Sequence, residues 1–107
     1  GTALKGSASR IHYVTSKGAV ISYTKSLAME VGDANINVNC IAPGSTLSEE
    51  NPSDSILAAR EQAAKGRCLK RVQLPVDLAA PIAFFIGPDS DFITGQTLVV
   101  DGGSCLH

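Results

Sequence analysis

At 107 residues, 44% hydrophobic and 18% charged, the chain has the make-up of one modest globular domain rather than a disordered segment. Its net charge of −1 and isoelectric point near 6.1 argue against a nucleic-acid or anionic-membrane surface, and no apolar run approaches the ~18 residues that span a bilayer. Cys40, Cys68 and Cys105 lie far apart and form no cluster with His12 or His107, so the expectation is reduced thiols, no metal and a cytoplasmic location.

Residues 1–11, "GTALKGSASRI", are small and polar and read as a loop without the apolar core of a secretion signal. From about His12 to Val31 proline is absent, and Val20, Tyr23, Leu27 and Val31 recur close to helical period. Gly32-Asp33 closes this helix. Gly18 and several Ser and Thr residues weaken its intrinsic propensity, so packing has to hold it. Val20, Leu27 and Val31 are expected to face a sheet. Ala19, Ser22, Ser26 and Met29 make the other side small or apolar too, the mark of a helix covered on both sides.

A strand follows: Ile36, Val38, Cys40 and Ala42 alternate with Asn35, Asn37, Asn39 and Ile41, and Pro43-Gly44 ends the run. Residues 45–54 read as a polar loop, Ser55–Lys65 as a helix, and Arg67–Arg71 as a basic connection facing solvent. Leu78, Ile82, Phe85 and Ile86 trace an amphipathic helix in which Pro81 predicts a kink or a late start. "GQTLVVDGG" is a short apolar strand closed by a glycine pair. The order is α/β with a parallel sheet. Two strands are too few for a sheet covered on both faces, so the expectation is half a domain.

Two groups of residues carry candidate chemistry. Tyr13 and Lys17 share a helix face at i and i+4, and an ammonium beside a phenol favours the phenolate of a group that otherwise titrates near pH ~10. The spacing alone leaves open whether they are merely two surface residues. Pro43 and Gly44 follow the strand's C-terminal end, where open α/β sheets bind ligands, and glycine admits a close backbone approach.

"YVTSK", "INVNCIAPG" and "ITGQTLVVDGG", in that order and spacing, resemble the C-terminal half of the short-chain dehydrogenase/reductase family, from about Gly1 to Gly103. Residues 71–103 look most like bacterial alcohol or ketone dehydrogenases and 3-oxoacyl carrier-protein reductases. The resemblance implies that residues 1–107 form the C-terminal half of one Rossmann-like domain with a doubly wound parallel sheet. It implies an oxidoreductase using NAD or NADP to move hydride to or from a secondary alcohol or ketone.

In that family the residue matching Tyr13 is the general acid/base, and the one matching Lys17 also holds the nicotinamide ribose. Pro43, Gly44, Thr46 and Ser48 match positions around the nicotinamide carboxamide and a phosphate oxygen. Thr46 stands where the family usually has an aliphatic residue, and Ser48 where it has threonine. The helix matching 12–31 pairs with its copy across a two-fold axis, which implies a homodimer or homotetramer. "VVDGG" is implied to turn back across the sheet edge near a second interface.

The family's glycine-rich phosphate turn, its "NAG" strand end and the residue that selects NAD or NADP have no match in these residues. The family's serine normally precedes the tyrosine by about a dozen residues, which reaches Gly1 or beyond; Ser7 is near enough to line a substrate pocket. The expectation is a truncated portion of an enzyme, inactive alone. A non-catalytic interaction module built on the long helix and last strand is the alternative, although it has no need of Tyr13 and Lys17 together with Pro43-Gly44. Residues 45–72 are expected to cover the pocket, with Glu49 and Glu50 disfavouring acidic substrates.

Overall fold

Helix α1 runs from Ile11 to Val31 in a computed structural model that describes Gly6, Ala8 and residues 10–106. Ser7, His107 and the position of the expected serine lie outside the described residues. α1 stops where the sequence predicts, but Gly32 stays right-handed and opens a 3₁₀ turn, Gly32–Ala34. The reversal falls on Asn35, left-handed at φ 57°, whose N–H donates to the Gly32 carbonyl at 2.9 Å. Asparagine is one of the few side chains that adopts this conformation readily.

The sheet-facing stripe of α1 is offset from the expected one. Thr24 and Ala28 are buried, flanked by half-buried Val14, Ile21, Leu27 and Val31, while Val20 is 50% exposed. The Thr24 hydroxyl donates to the Val20 carbonyl at 2.8 Å, so a polar side chain is satisfied within its own helix. A Cβ on Gly95 would sit 3.5 Å from that of Ala28, which is the closeness a stripe of small residues permits.

Strands β1, Cys40–Pro43, and β2, Thr97–Val100, pair in parallel with Cys40 opposite Thr97 and Pro43 opposite Val100. The ladder is shorter than the alternation predicts. At Val38 the N–H donates to the Thr94 hydroxyl and the carbonyl accepts from Gly95 N–H. The asparagines that alternate with the apolar residues do not simply face water. Asn37 donates to the carbonyls of Ser90 and Asp91; Asn39 donates to Ile93 and accepts from Gln96 N–H. They clamp the chain segment that leads into β2.

Helix α2, Asp54–Lys65, is capped by the Ser53 hydroxyl, which accepts from Ile56 N–H. Helix α3, Val76–Ile86, carries Pro81 in its interior, so the late start is ruled out. Arg67 corrects the solvated-connection reading: it is 3% exposed, and its guanidinium donates to the carbonyls of Arg71 and Ser45. The cause is the turn after β2. Gly102 and Gly103 take positive φ, and a Cβ at Gly103 would lie 2.8 Å from the Cys68 sulfur. Leu69 N–H also donates to the Gly102 carbonyl. The glycine pair therefore folds onto Arg67–Leu69 of its own chain.

Asp101 organises this turn. It is 4% exposed, and its carboxylate accepts from the N–H groups of Gly103, Ser104 and Cys105 at 2.8–3.1 Å. Elsewhere the two-stranded sheet leaves large apolar side chains uncovered: Met29, Ile86 and Phe92 are each more than 80% exposed. Removing the Asp101 carboxylate takes the acceptor from the buried Cys105 N–H and the half-buried Gly103 N–H, and hydrogen bonds to a charged group contribute about 1.5–3 kcal/mol each. Asp101→Ala is expected to lower the complete protein's unfolding free energy by ~2–4 kcal/mol in urea denaturation; a change within ~0.5 kcal/mol, typical of a surface substitution, would contradict this role.

Candidate functional site

The first turns of α1 put Arg10, Tyr13 and Lys17 together. Lys17 Nζ lies 5.3 Å from the centroid of the Tyr13 ring and the Arg10 guanidinium carbon 4.4 Å. Both are within the range of a cation–π contact. No acidic residue occupies the first turn of α1, and among the described residues neither cation has an ion pair. The Ser16 hydroxyl donates to the Tyr13 carbonyl at 2.8 Å and tightens the turn. Tyr13 is 36% exposed. A phenol reachable from solvent thus stands beside two positive charges.

The second group leaves the end of β1. Gly44 N–H donates to the Val100 carbonyl, which also accepts from the Gln73 side chain. A Cβ at position 44 would fall 2.7 Å from Asp101 Cβ and 2.8 Å from Gln73 Oε1, so packing within the chain by itself demands glycine here. The Thr46 hydroxyl donates to the Gly44 carbonyl at 2.9 Å. Thr46 also forms a parallel bridge with Gln73, made through Leu47 N–H, which leaves Thr46's own N–H outside the pair. Ser48 is exposed, its N–H donating to Glu49.

The surrounding charges are largely paired. Glu49 meets Arg60 at 2.8 Å; its carboxyl is held below the ordinary value, first by its own backbone N–H and then by Arg60. Arg71 and Asp77 form a two-point pair at 2.7 and 2.6 Å. That pair first, and Leu74 N–H second, bring Asp77 down to about 2. Together with Arg67, Leu69, Gln73 and Val100 they line a cavity of about 190 Å³ to which Tyr13, Lys17, Thr46 and Ser48 do not contribute.

Among the described residues no hydrogen bond joins the Tyr13–Lys17 pair to the β1 group; the reversal at Asn35 sends the chain back along α1, and lengths put both groups at a similar height, toward the C-terminal end of β1. Ala28 abuts Gly95, and Gly95 bonds Val38, so these residues share a level. From there α1 climbs about 22 Å back to Tyr13 at ~1.5 Å per residue. The chain reversed at Asn35 climbs about 20 Å from Val38 to Gly44 at ~3.3 Å per residue. Sequence reasoning passed over Arg10, although its place one turn before Tyr13 was a usable signal. It had no comparable signal for Gln73 and Asp101, which meet Gly44 only through the fold.

The sequence matches the family described as Enoyl-(Acyl carrier protein) reductase over residues 2–105. It is 36% identical over 110 residues to the short-chain reductase protein NovJ of Streptomyces niveus, covering 94% of this chain and 41% of that protein. With the 3-oxoacyl-acyl-carrier-protein reductase FabG of Chlamydia trachomatis the identity is 39% over 102 residues, covering 94% and 40%. A solved 4-hydroxyisoleucine dehydrogenase complexed with NADH and succinate overlays with a TM-score of 0.80 at 35% identity, covering 96% of this chain and 42% of that one. The chain spans about two-fifths of the length of these relatives.

Proposed function

The chain belongs to the short-chain dehydrogenase/reductase family, and we propose that it supplies the proton-transfer residues and part of the nicotinamide site of an NAD(P)-dependent oxidoreductase. Its α/β architecture with a parallel sheet matches part of the fold of solved members. The substrate in this proposal is a secondary alcohol or ketone, and residues 1–107 are the C-terminal part of one domain. The observation that carries the reading is the exposed phenol of Tyr13 with Lys17 at 5.3 Å.

Tyr13 is the general acid/base. In reduction its hydroxyl gives the proton to the carbonyl oxygen; in oxidation its phenolate takes the proton from the alcohol. Lys17 stands beside the ring, and its ammonium, free of ion pairs among the described residues, fits a ribose hydroxyl. Thr46 N–H and the exposed Ser48 hydroxyl fit the carboxamide and phosphate groups of the dinucleotide, whereas the Thr46 hydroxyl is already engaged by Gly44. When bound, NAD or NADP supplies or accepts the hydride. The 4-hydroxyisoleucine dehydrogenase structure that contains NADH supports a nicotinamide cofactor here.

The reading extends to assembly as a homodimer or homotetramer in the cytoplasm. Ala19, Ser22, Ser26 and Met29 are exposed on α1, Met29 by 87%, and a helix face this small and apolar suits close packing against a two-fold copy. Among the described residues no helix is long and apolar enough to cross a membrane.

Tyr13→Phe in the complete enzyme is expected to lower kcat by at least ~10²–10⁴-fold, the usual contribution of general acid–base catalysis, with cofactor binding nearly intact. A near-wild-type kcat would refute the assignment. Ser26→Arg places two unpaired charges in the proposed helix pair and is expected to shift the complete protein to monomer in light scattering. If the unsubstituted complete protein is already monomeric at micromolar concentration, α1 is not an interface.

A further inference from the structure

We infer that Arg10 is a carboxylate-binding residue and that the substrate is a hydroxy or oxo acid whose carboxylate it holds beside Tyr13; the inference rests on the oxidoreductase reading above. Arg10 is exposed and its guanidinium lies over the Tyr13 ring, 4.4 Å from the centroid. Among the described residues it has no hydrogen-bond acceptor and no ion-pair partner. A cation–π contact engages the charge of a guanidinium and takes up no hydrogen-bond acceptor. Its five N–H groups form a planar fork suited to two-point recognition of a carboxylate.

The position of this free cation matters as much as its charge. Arg10 and the phenol hydroxyl that exchanges the proton are held by one ring, so a molecule engaging both must carry its charge close to its reacting carbon. Charge-assisted N–H to carboxylate bonds of ~2.8 Å leave room for a carbonyl one or two bonds away, as in a 2-oxo or 3-oxo acid. A neutral ketone would leave the guanidinium unmatched. Lys17 on the same ring adds a second positive charge, and the first turn of α1 has no acid to cancel either.

The loop after β1 does not oppose this. Glu49 was expected to repel acidic substrates, but its carboxylate is occupied by Arg60 at 2.8 Å and by Ser48 N–H at 3.0 Å. Among the described residues Glu50, exposed to solvent, has no such partner. The charge free to meet a ligand at this edge is therefore mainly positive.

The test uses the complete enzyme with NADH and with NADPH, and compares small 2-oxo and 3-oxo acids with their methyl esters. The expected ratio of kcat/KM, acid over ester, is about 10–100-fold for at least one pair, the range of a charge-assisted two-point contact. Arg10→Gln is expected to bring that ratio to within about threefold, chiefly by raising KM for the acid, and Arg10→Lys to recover part of it. An acid-to-ester ratio near one in the unsubstituted enzyme overturns the inference alone, and needs no variant to fold. A large ratio that survives in folded Arg10→Gln overturns it as well. Turnover of neither acid nor ester by an enzyme that still reduces neutral ketones overturns this inference and leaves the oxidoreductase reading standing.

Discussion

Asp101 approaches Gly44 so closely that even a methyl group at position 44 would meet its Cβ at 2.7 Å. Most of the ordered edge of this molecule depends on that contact. It fastens the end of β1 to the turn after β2, and Gln73 completes the junction by bonding Val100 while bridging to Thr46. Thr46 and Ser48 start from this junction, so their placement is inherited from a buried carboxylate and a glycine rather than from a ligand. Arg67 supports it from below, bonding the carbonyls of Ser45 and Arg71 while the glycine pair closes over Cys68.

Local features of the chain were legible because local chemistry decides them. The end of α1, the span of α2 and the place of β2 follow from proline, glycine and capping residues within a few positions. Tyr13 and Lys17 meet because they lie one turn apart. What escaped the sequence was set by partners distant along the chain. Arg67 looks like a solvated cation until Gly102 and Gly103, far along the chain, fold onto its segment. Asn37 and Asn39 look like the wet face of a strand until residues 90–96 come within hydrogen-bond reach. Val20 was assigned to the sheet from its near-helical spacing with Leu27 and Val31, but α1 is small or apolar on several sides, and such a helix has no strong period to fix its rotation.

The charge pattern around the proposed site follows a consistent division. Glu49 is matched by Arg60 and Asp77 by Arg71, with Glu50 left exposed, whereas Arg10 and Lys17 are unpaired among the described residues and converge on one phenol. Paired charges hold structure and carry little long-range field; unpaired ones at an exposed edge attract anions and stabilise negative charge as it forms. That division supports proton transfer at Tyr13 more strongly than the Tyr–Lys spacing does.

The central claim is that α1 and the end of β1 face the same cofactor. A crystal structure of the complete protein with its preferred nicotinamide dinucleotide tests it most directly. The account predicts Lys17 Nζ within ~2.7–3.2 Å of a nicotinamide-ribose hydroxyl, with Thr46 N–H or the Ser48 hydroxyl bonded to the carboxamide or a phosphate oxygen. A nicotinamide ring bound away from Lys17 and the end of β1 would contradict it.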